Sequence, residues 1–210
     1  SNDNLEGEKI VSLSLNYNGD GSIQHDFADV VLENVAVGND EEDSISMIGV
    51  SSISNNSGIF QNLSINEGEH EFHLDKTAQF NPQAINSYDA YLALKVSMLI
   101  ESSNEIDGLT FEKEQIIAAD FNQNGRVNSI DVVGILKEVV HISDDVDLNW
   151  LFVQSDQDLS SVNRNNTNVL NHIITEVSDE EQIEFKGILT GDVNGSCTSD
   201  MDFEEPSLEE

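Results

Sequence analysis

Basic side chains are scarce. The chain has 210 residues, with 8 Lys and Arg against 41 Asp and Glu and a formal charge of −33. A surface of that sign repels phosphate backbones and anionic bilayers, so neither nucleic acid nor membrane insertion is expected. It suits a divalent cation and a marine or salt-loving habitat. Cysteine occurs once, at Cys197, so no disulfide can form within the chain. No apolar run reaches the roughly 18 residues that a membrane-spanning helix needs. Aromatic residues make up 6%, too few to nominate a glycan-stacking platform. Catalytic signatures are missing as well. There is no nucleophile elbow, phosphate loop or zinc spacing, and His25, His70, His73, His141 and His172 are scattered. Cys197 has no neighbours that mark a nucleophile, and the expectation is a noncatalytic protein. No export leader is visible, and Ser1-Asn2 reads as a cloning scar, compatible with a leader that has been cut away.

What is present is one strongly constrained loop. In Asp120-Phe121-Asn122-Gln123-Asn124-Gly125-Arg126-Val127-Asn128-Ser129-Ile130-Asp131, side-chain oxygens fall at the first, third, fifth, ninth and twelfth places. Glycine is sixth and an apolar residue eighth. This is the spacing of an EF-hand calcium loop, with Asp last instead of the usual Glu. Calcium takes six to eight oxygens at about 2.3–2.6 Å, and a loop that winds round it aims alternate side chains inward. Gly125 permits the sharp turn. Arg126 would offer its backbone carbonyl, and Val127 would tie the loop to a neighbouring loop. Ile130, Val133, Leu136, Val139 and Val140 recur at helical spacing, so a helix is predicted from about Ser129. Asp131 then lies in its first turn, where a carboxylate suits the helix dipole.

This loop-helix unit resembles the repeat of a type I dockerin, D-x-N-x-D-G-x-V-N-S-x-D followed by a helix, over Ala119 to Val140. Dockerins carry two such repeats. A second half-match is Ile85-Asn86-Ser87-Tyr88-Asp89, which repeats Val127-Asn128-Ser129-Ile130-Asp131 place for place, 42 residues earlier. Tyr91, Leu92, Leu94, Val96, Leu99 and Ile100 then predict a helix. The front of this loop is absent: its first, third and fifth places hold Ala78, Phe80 and Pro82. The start of such a loop instead occurs near the far end, as Asp192-Val193-Asn194-Gly195-Ser196. Joined in space, Asp192, Asn194 and Ser196 with Asn86 and Asp89 would complete a second, split calcium site. The alternative is an ordinary turn at Asp192. The resemblance implies a cohesin-like β-sandwich partner, contacted through Ser129, Ile130, Lys137 and His141 in one repeat and Ser87, Tyr88 and Lys95 in the other. It also implies an extracellular or cell-surface location. The second expectation is a calcium-rigidified structural module of a large secreted or surface protein without a cohesin partner. Affinity for calcium is expected in the extracellular range of about 0.1–1 mM.

Residues 1–78 read as short strands with Gly/Asn turns. Strands are predicted over 10–15, 30–37, 46–53, 59–65 and 69–74. Gly58-Ile59-Phe60-Gln61-Asn62-Leu63 and Glu67-Gly68-Glu69-His70-Glu71-Phe72-His73-Leu74 resemble transthyretin-like or carboxypeptidase-regulatory-like sandwiches. Asn16, Asn18 and Asp20 read as a hairpin turn, and His70 and His73, an odd number apart, would face opposite ways. Later, Thr110 to Glu114 predicts a short helix, Trp150 to Val153 a core strand, and Ile183 to Leu189 a strand leading to Asp192. Ser178 with Glu181 is a capping-box pattern. The acids at 144, 145, 147, 156 and 158 read as a solvated face. The expected architecture is therefore α+β and multidomain. An antiparallel β-sandwich over 1–78 is followed by a dockerin-like calcium module with a β-containing extension over 79–197. An acidic tail over 198–210 is expected to be disordered.

Overall fold

The computed structural model describes residues 8–17, 31–36, 51–52, 59–66, 68–75, 77–78, 84–140, 142, 148–169, 172–177 and 182–197. The turns at 18–21 and 55–58, the acids at 144, 145 and 147, His141, the pair Ser178 and Glu181, and the tail lie outside them. Strands β1 (Glu8–Tyr17), β2 (Val31–Ala36), β3 (Ser51–Ser52), β4 (Ile59–Asn66), β5 (Gly68–Asp75) and β6 (Thr77–Ala78) come first. Helix α1 (Ser87–Ser97), the hairpin β7 (Glu105–Ile106) and β8 (Leu109–Thr110), and helices α2 (Lys113–Ala118) and α3 (Ser129–Val139) follow. Strands β9 (Leu148–Gln154), β10 (His172–Val177) and β11 (Gln182–Leu189) come last among the described residues.

Among the described residues, all strands except the β7–β8 pair lie in two sheets. One has five strands in the order β4-β1-β11-β9-β6, and the other has four in the order β10-β5-β2-β3. Both sheets run across the boundary expected at residue 78. Strand β1 pairs with β4 on one edge and with β11 on the other, Ser12 opposite Gln182 through Tyr17 opposite Gly187. Likewise β10 extends the second sheet along β5, with His172 opposite His73. In both sheets an early strand, β1 or β5, has one edge filled by a late strand, because unpaired backbone groups inside a sheet are costly. The β1–β11 pairing is parallel, so the first sheet is mixed. The sheets meet where Phe72 of β5 packs edge-on against Phe185 of β11, centroids 6.4 Å apart.

The helical segment is thus an excursion between β6 and β9, two strands that pair with each other. It shares one core with the sheets: Val96, Leu99, Ile116, Ile117 and Ile135 belong to the same buried cluster as Phe152, Phe185 and Ile188. Helices α1 and α3 start at matching caps. Asn86 and Asn128 each accept from the backbone two residues on, and Asp89 and Asp131 each reach back to the cap N–H. Both are reciprocal capping boxes with Asn and Asp in place of Ser and Glu. The hairpin β7–β8 was not anticipated, although Asp107-Gly108 at its tip is a strong turn signal. Both tip residues have positive φ, 52° and 77°, as that turn requires.

The apolar spacing of α3 predicts a helix but not which face is inward. Val132 and Ile135 face the core, whereas Ile130, Val133, Leu136 and Val140 are exposed. The helix is apolar on both faces, so spacing alone could not say which side is inward.

Phe121, second in the main loop, is buried against two glycines. A Cβ on Gly134 of α3 would lie 2.5 Å from its ring, and one on Gly191 would lie 2.9 Å from the ring and 3.0 Å from Ile85. Gly191 also has φ of +90°, where side chains are strained. Gly191→Ala is therefore expected to lower stability by about 2–4 kcal/mol, read as a shift in the urea midpoint without a change in slope.

Candidate metal centre

The main loop closes into a ring through its own backbone. The Asp120 carboxylate accepts from Asn124 N–H (3.1 Å) and Gly125 N–H (2.8 Å). Asn122 Oδ1 also accepts from Asn124 N–H, at 3.1 Å. Across the ring, the Asp131 carboxylate accepts from Asn122 N–H (3.3 Å) and Asn128 N–H (2.8 Å). Asn128 Oδ1 accepts from Ile130 N–H at 2.8 Å. Asp120, Asn122, Asn124, Asn128 and Asp131 thus belong to one hydrogen-bonded ring. Gln123 takes φ of 54° and Gly125 φ of 88°, the two left-handed residues that let the chain curl.

The second ring is the same arrangement built from two pieces of chain. The Asp192 carboxylate accepts from Ser196 N–H (2.9 Å) and Cys197 N–H (2.8 Å). Asn194 Oδ1 accepts from Ser196 N–H at 2.9 Å. The Asp89 carboxylate accepts from Asn194 N–H at 3.1 Å, a bond between residues 105 apart in sequence. It also accepts from Asn86 N–H at 2.9 Å, and Asn86 Oδ1 accepts from Tyr88 N–H at 2.8 Å. Each bond has its counterpart in the main ring. Gly195, in the fourth place like Gln123, is likewise left-handed at 66°. The sixth place is Cys197, not glycine. No sharp turn is demanded of it, because residues 84–89 supply the second half of the ring. Ser196 Oγ donates to the Ala84 carbonyl at 3.4 Å, which bridges the gap. Gly191 N–H donates to the Ala118 carbonyl at 2.8 Å, which fixes the second ring against the approach to the first.

The electrostatics of both rings ask for a cation. Asp89, Asp120, Asp131 and Asp192 are all buried, and each ring sets two carboxylates face to face. Burial, with Asp192 nearby, pushes the Asp89 carboxyl up to about 7. Burial, with Asp120 nearby, raises Asp131 as well. Such shifts are those of carboxyls withdrawn from water beside a second carboxylate. Each carboxylate oxygen that accepts one N–H keeps a further lone pair for a metal. Among the described residues no three His, Cys, Asp or Glu side chains converge. Each ring instead combines two carboxylates with amide or hydroxyl oxygens, a donor set for a hard cation and not for zinc.

Sequence reasoning missed the segment 163–168. Val127 N–H donates to the Arg164 carbonyl at 2.7 Å, and Thr167 N–H donates to the Gly125 carbonyl at 3.1 Å. The neighbour that Val127 ties to is therefore this segment. Nothing in a polar, aperiodic Asn-rich stretch signals that role.

Above the rings the two helices expose a paired apolar face. The exposed large hydrophobics are Tyr88, Tyr91, Leu94, Met98 and Ile100 on and after α1, and Ile130, Val133, Leu136, Val140 and Ile142 on and after α3. Each member of the first set has its partner 42 residues later. Ser87, Ser129 and Lys137 are exposed beside them. Lys95 is half-buried, bonded to Asp107 at 2.6 Å and lying 5.4 Å over the Tyr91 ring. Among the described residues no helix is long and apolar enough to cross a membrane. Comparison with known proteins finds no matching family model, curated protein or solved structure.

Proposed function

We propose that this chain is a noncatalytic calcium-binding extracellular module that docks a protein partner through the paired faces of α1 and α3. The observation that carries the metal reading is the bond-for-bond equivalence of the contiguous and split rings. Asp120, Asn122, Asn124, Asn128, Asp131 and the Arg126 carbonyl would hold one ion. Asp192, Asn194, Ser196, Asn86 and Asp89 would hold the other. Calcium supplies the two positive charges that each facing carboxylate pair lacks. With both rings filled, the starts of α1 and α3 are fixed, and the second ring staples residues 192–197 to α1.

The docking reading rests on the exposed apolar pairs. Isolated exposed side chains are ordinary, but an apolar stripe repeated at three-residue spacing on each of two helices in so acidic a chain supports an interaction surface. A cohesin-like β-sandwich is the partner that the dockerin resemblance implies. A second reading, a calcium-rigidified element of a larger surface protein, is favoured by the embedding of the helical excursion between the paired strands β6 and β9. Calcium titration by calorimetry on chelator-stripped protein, with circular dichroism alongside, tests the metal. Two ions per chain are expected. Binding to a cohesin panel then separates the readings. A one-to-one complex abolished by Tyr88→Asp with Ile130→Asp supports docking, and no complex with calcium-dependent folding intact selects the structural role.

A further inference from the structure

Thr167 lies 47 residues beyond Asp120, yet its hydroxyl donates to Asp120 Oδ2 at 2.5 Å, and both side chains are buried. Asp120 Oδ2 already accepts from Gly125 N–H. The hydroxyl adds a second anchor to that oxygen, which fixes the carboxylate's rotation and leaves Oδ1 toward the ring. The same segment is held at three further points. Val127 and Gly125 bond to it through the backbone. The Asn168 amide packs within 2.8 Å of where a Gly125 side chain would begin. The Arg164 guanidinium donates to the Ser97 carbonyl at the end of α1, at 2.6 Å. The carboxylate is therefore clamped by a segment that is itself fastened to the other helix.

We infer that Thr167 is a positioning residue for the main ring, setting its affinity for calcium by orienting Asp120 through the strap 163–168. The inference rests on the calcium reading of that ring. Groups that hydrogen-bond a metal ligand from behind change metal affinity by about 10–100-fold when removed. Valine is the sharper substitution here. It keeps the shape of threonine, whereas a smaller residue would admit water from the cavity beside Asp120 that Ile117, Gln123, Leu151 and Asn168 also line.

The experiment is a calcium titration of the full chain followed by amide NMR. The Gly125 amide reports the main ring and the Cys197 amide the split ring. In Thr167→Val the calcium concentration that half-saturates the Gly125 signal is expected to rise about 10–100-fold, with the Cys197 midpoint unchanged. Thr167→Ser, which restores the hydroxyl, is expected to return the Gly125 midpoint to within a few-fold of the parent. Equal midpoints in the parent and Thr167→Val overturn the inference and leave the calcium reading standing. A Gly125 signal that does not respond to calcium in the parent overturns both. Parallel shifts of both midpoints, unrescued by serine, mean general loosening and overturn the positioning role.

Discussion

Asp192→Ala is expected to lower the calcium stoichiometry from two ions per chain to one, with Asp131→Ala removing the other. Among the described residues Asp192 is the only carboxylate on its side of the split ring, and both its oxygens organise the turn, one toward Ser196 and one toward Cys197. Alanine removes the charge and the anchor together. It leaves Asn86, Asp89, Asn194 and Ser196, whose side chains offer about five oxygens, too few for calcium's six to eight. The stability consequence depends on the metal. In calcium at about 100 times its dissociation constant, a filled site adds about 2.7 kcal/mol, and the variant forfeits that amount. In chelator the loss is much smaller, because Asp192 is one of the causes that push Asp89 up and its removal relieves that repulsion. Calorimetric counting and thermal melts with and without calcium check both parts. A count still at two returns Asp192 to an ordinary turn.

The parts of this site legible in the sequence are those whose chemistry is local. Asp120–Asp131 could be read because an ion ring made by consecutive residues fixes their spacing. The helix starts at Ser87 and Ser129 could be read because each cap is a four-residue pattern. The split ring was legible only because it repeats the contiguous one, Asn86 to Asp89 against Asn128 to Asp131. Long-range pairings were not. Nothing in Val11, Leu13 and Leu15 states that β11, some 170 residues later, lies parallel to them, since strand edges are chosen by competition among all strands. The inward face of α3 could not be read because Val132 and Ile135 compete with Val133 and Leu136 for the same periodicity. Thr167 was invisible because its role depends on where a polar loop lands, which the loop's own residues do not encode.

The second large effect is on pH. The carboxyl of Asp89 titrates at about 7 in the folded, metal-free protein against 3.8 for the free side chain. Between those values the folded state holds a proton that the unfolded state has released. Stability is therefore greatest below about pH 4 as far as this group is concerned, and it falls as pH rises toward 7. Asp131 shifts in the same direction through burial. The limiting slope is about 1.4 kcal/mol per pH unit for one proton, large for a single residue. Calcium reverses the sign, because a bound ion requires the ionised carboxylates. Its affinity is expected to rise with pH up to about 7 and level off above. At pH 6 filling the split ring should release about one proton, and at pH 8 almost none. Titration calorimetry in two buffers of different ionisation enthalpy counts that proton. Because so acidic a chain also repels itself more as pH rises, Asp89→Asn provides the control. Its single amide oxygen can accept from Asn86 or from Asn194 but not from both, and it cannot ionise, so its metal-free melting curve should flatten between pH 4 and 7. If the two metal-free proteins instead lose stability in parallel across that range, the loss belongs to the surface charge and Asp89 is not held protonated by its ring. The same variant should bind a single calcium, which places the proton and the second ion in competition for one carboxylate.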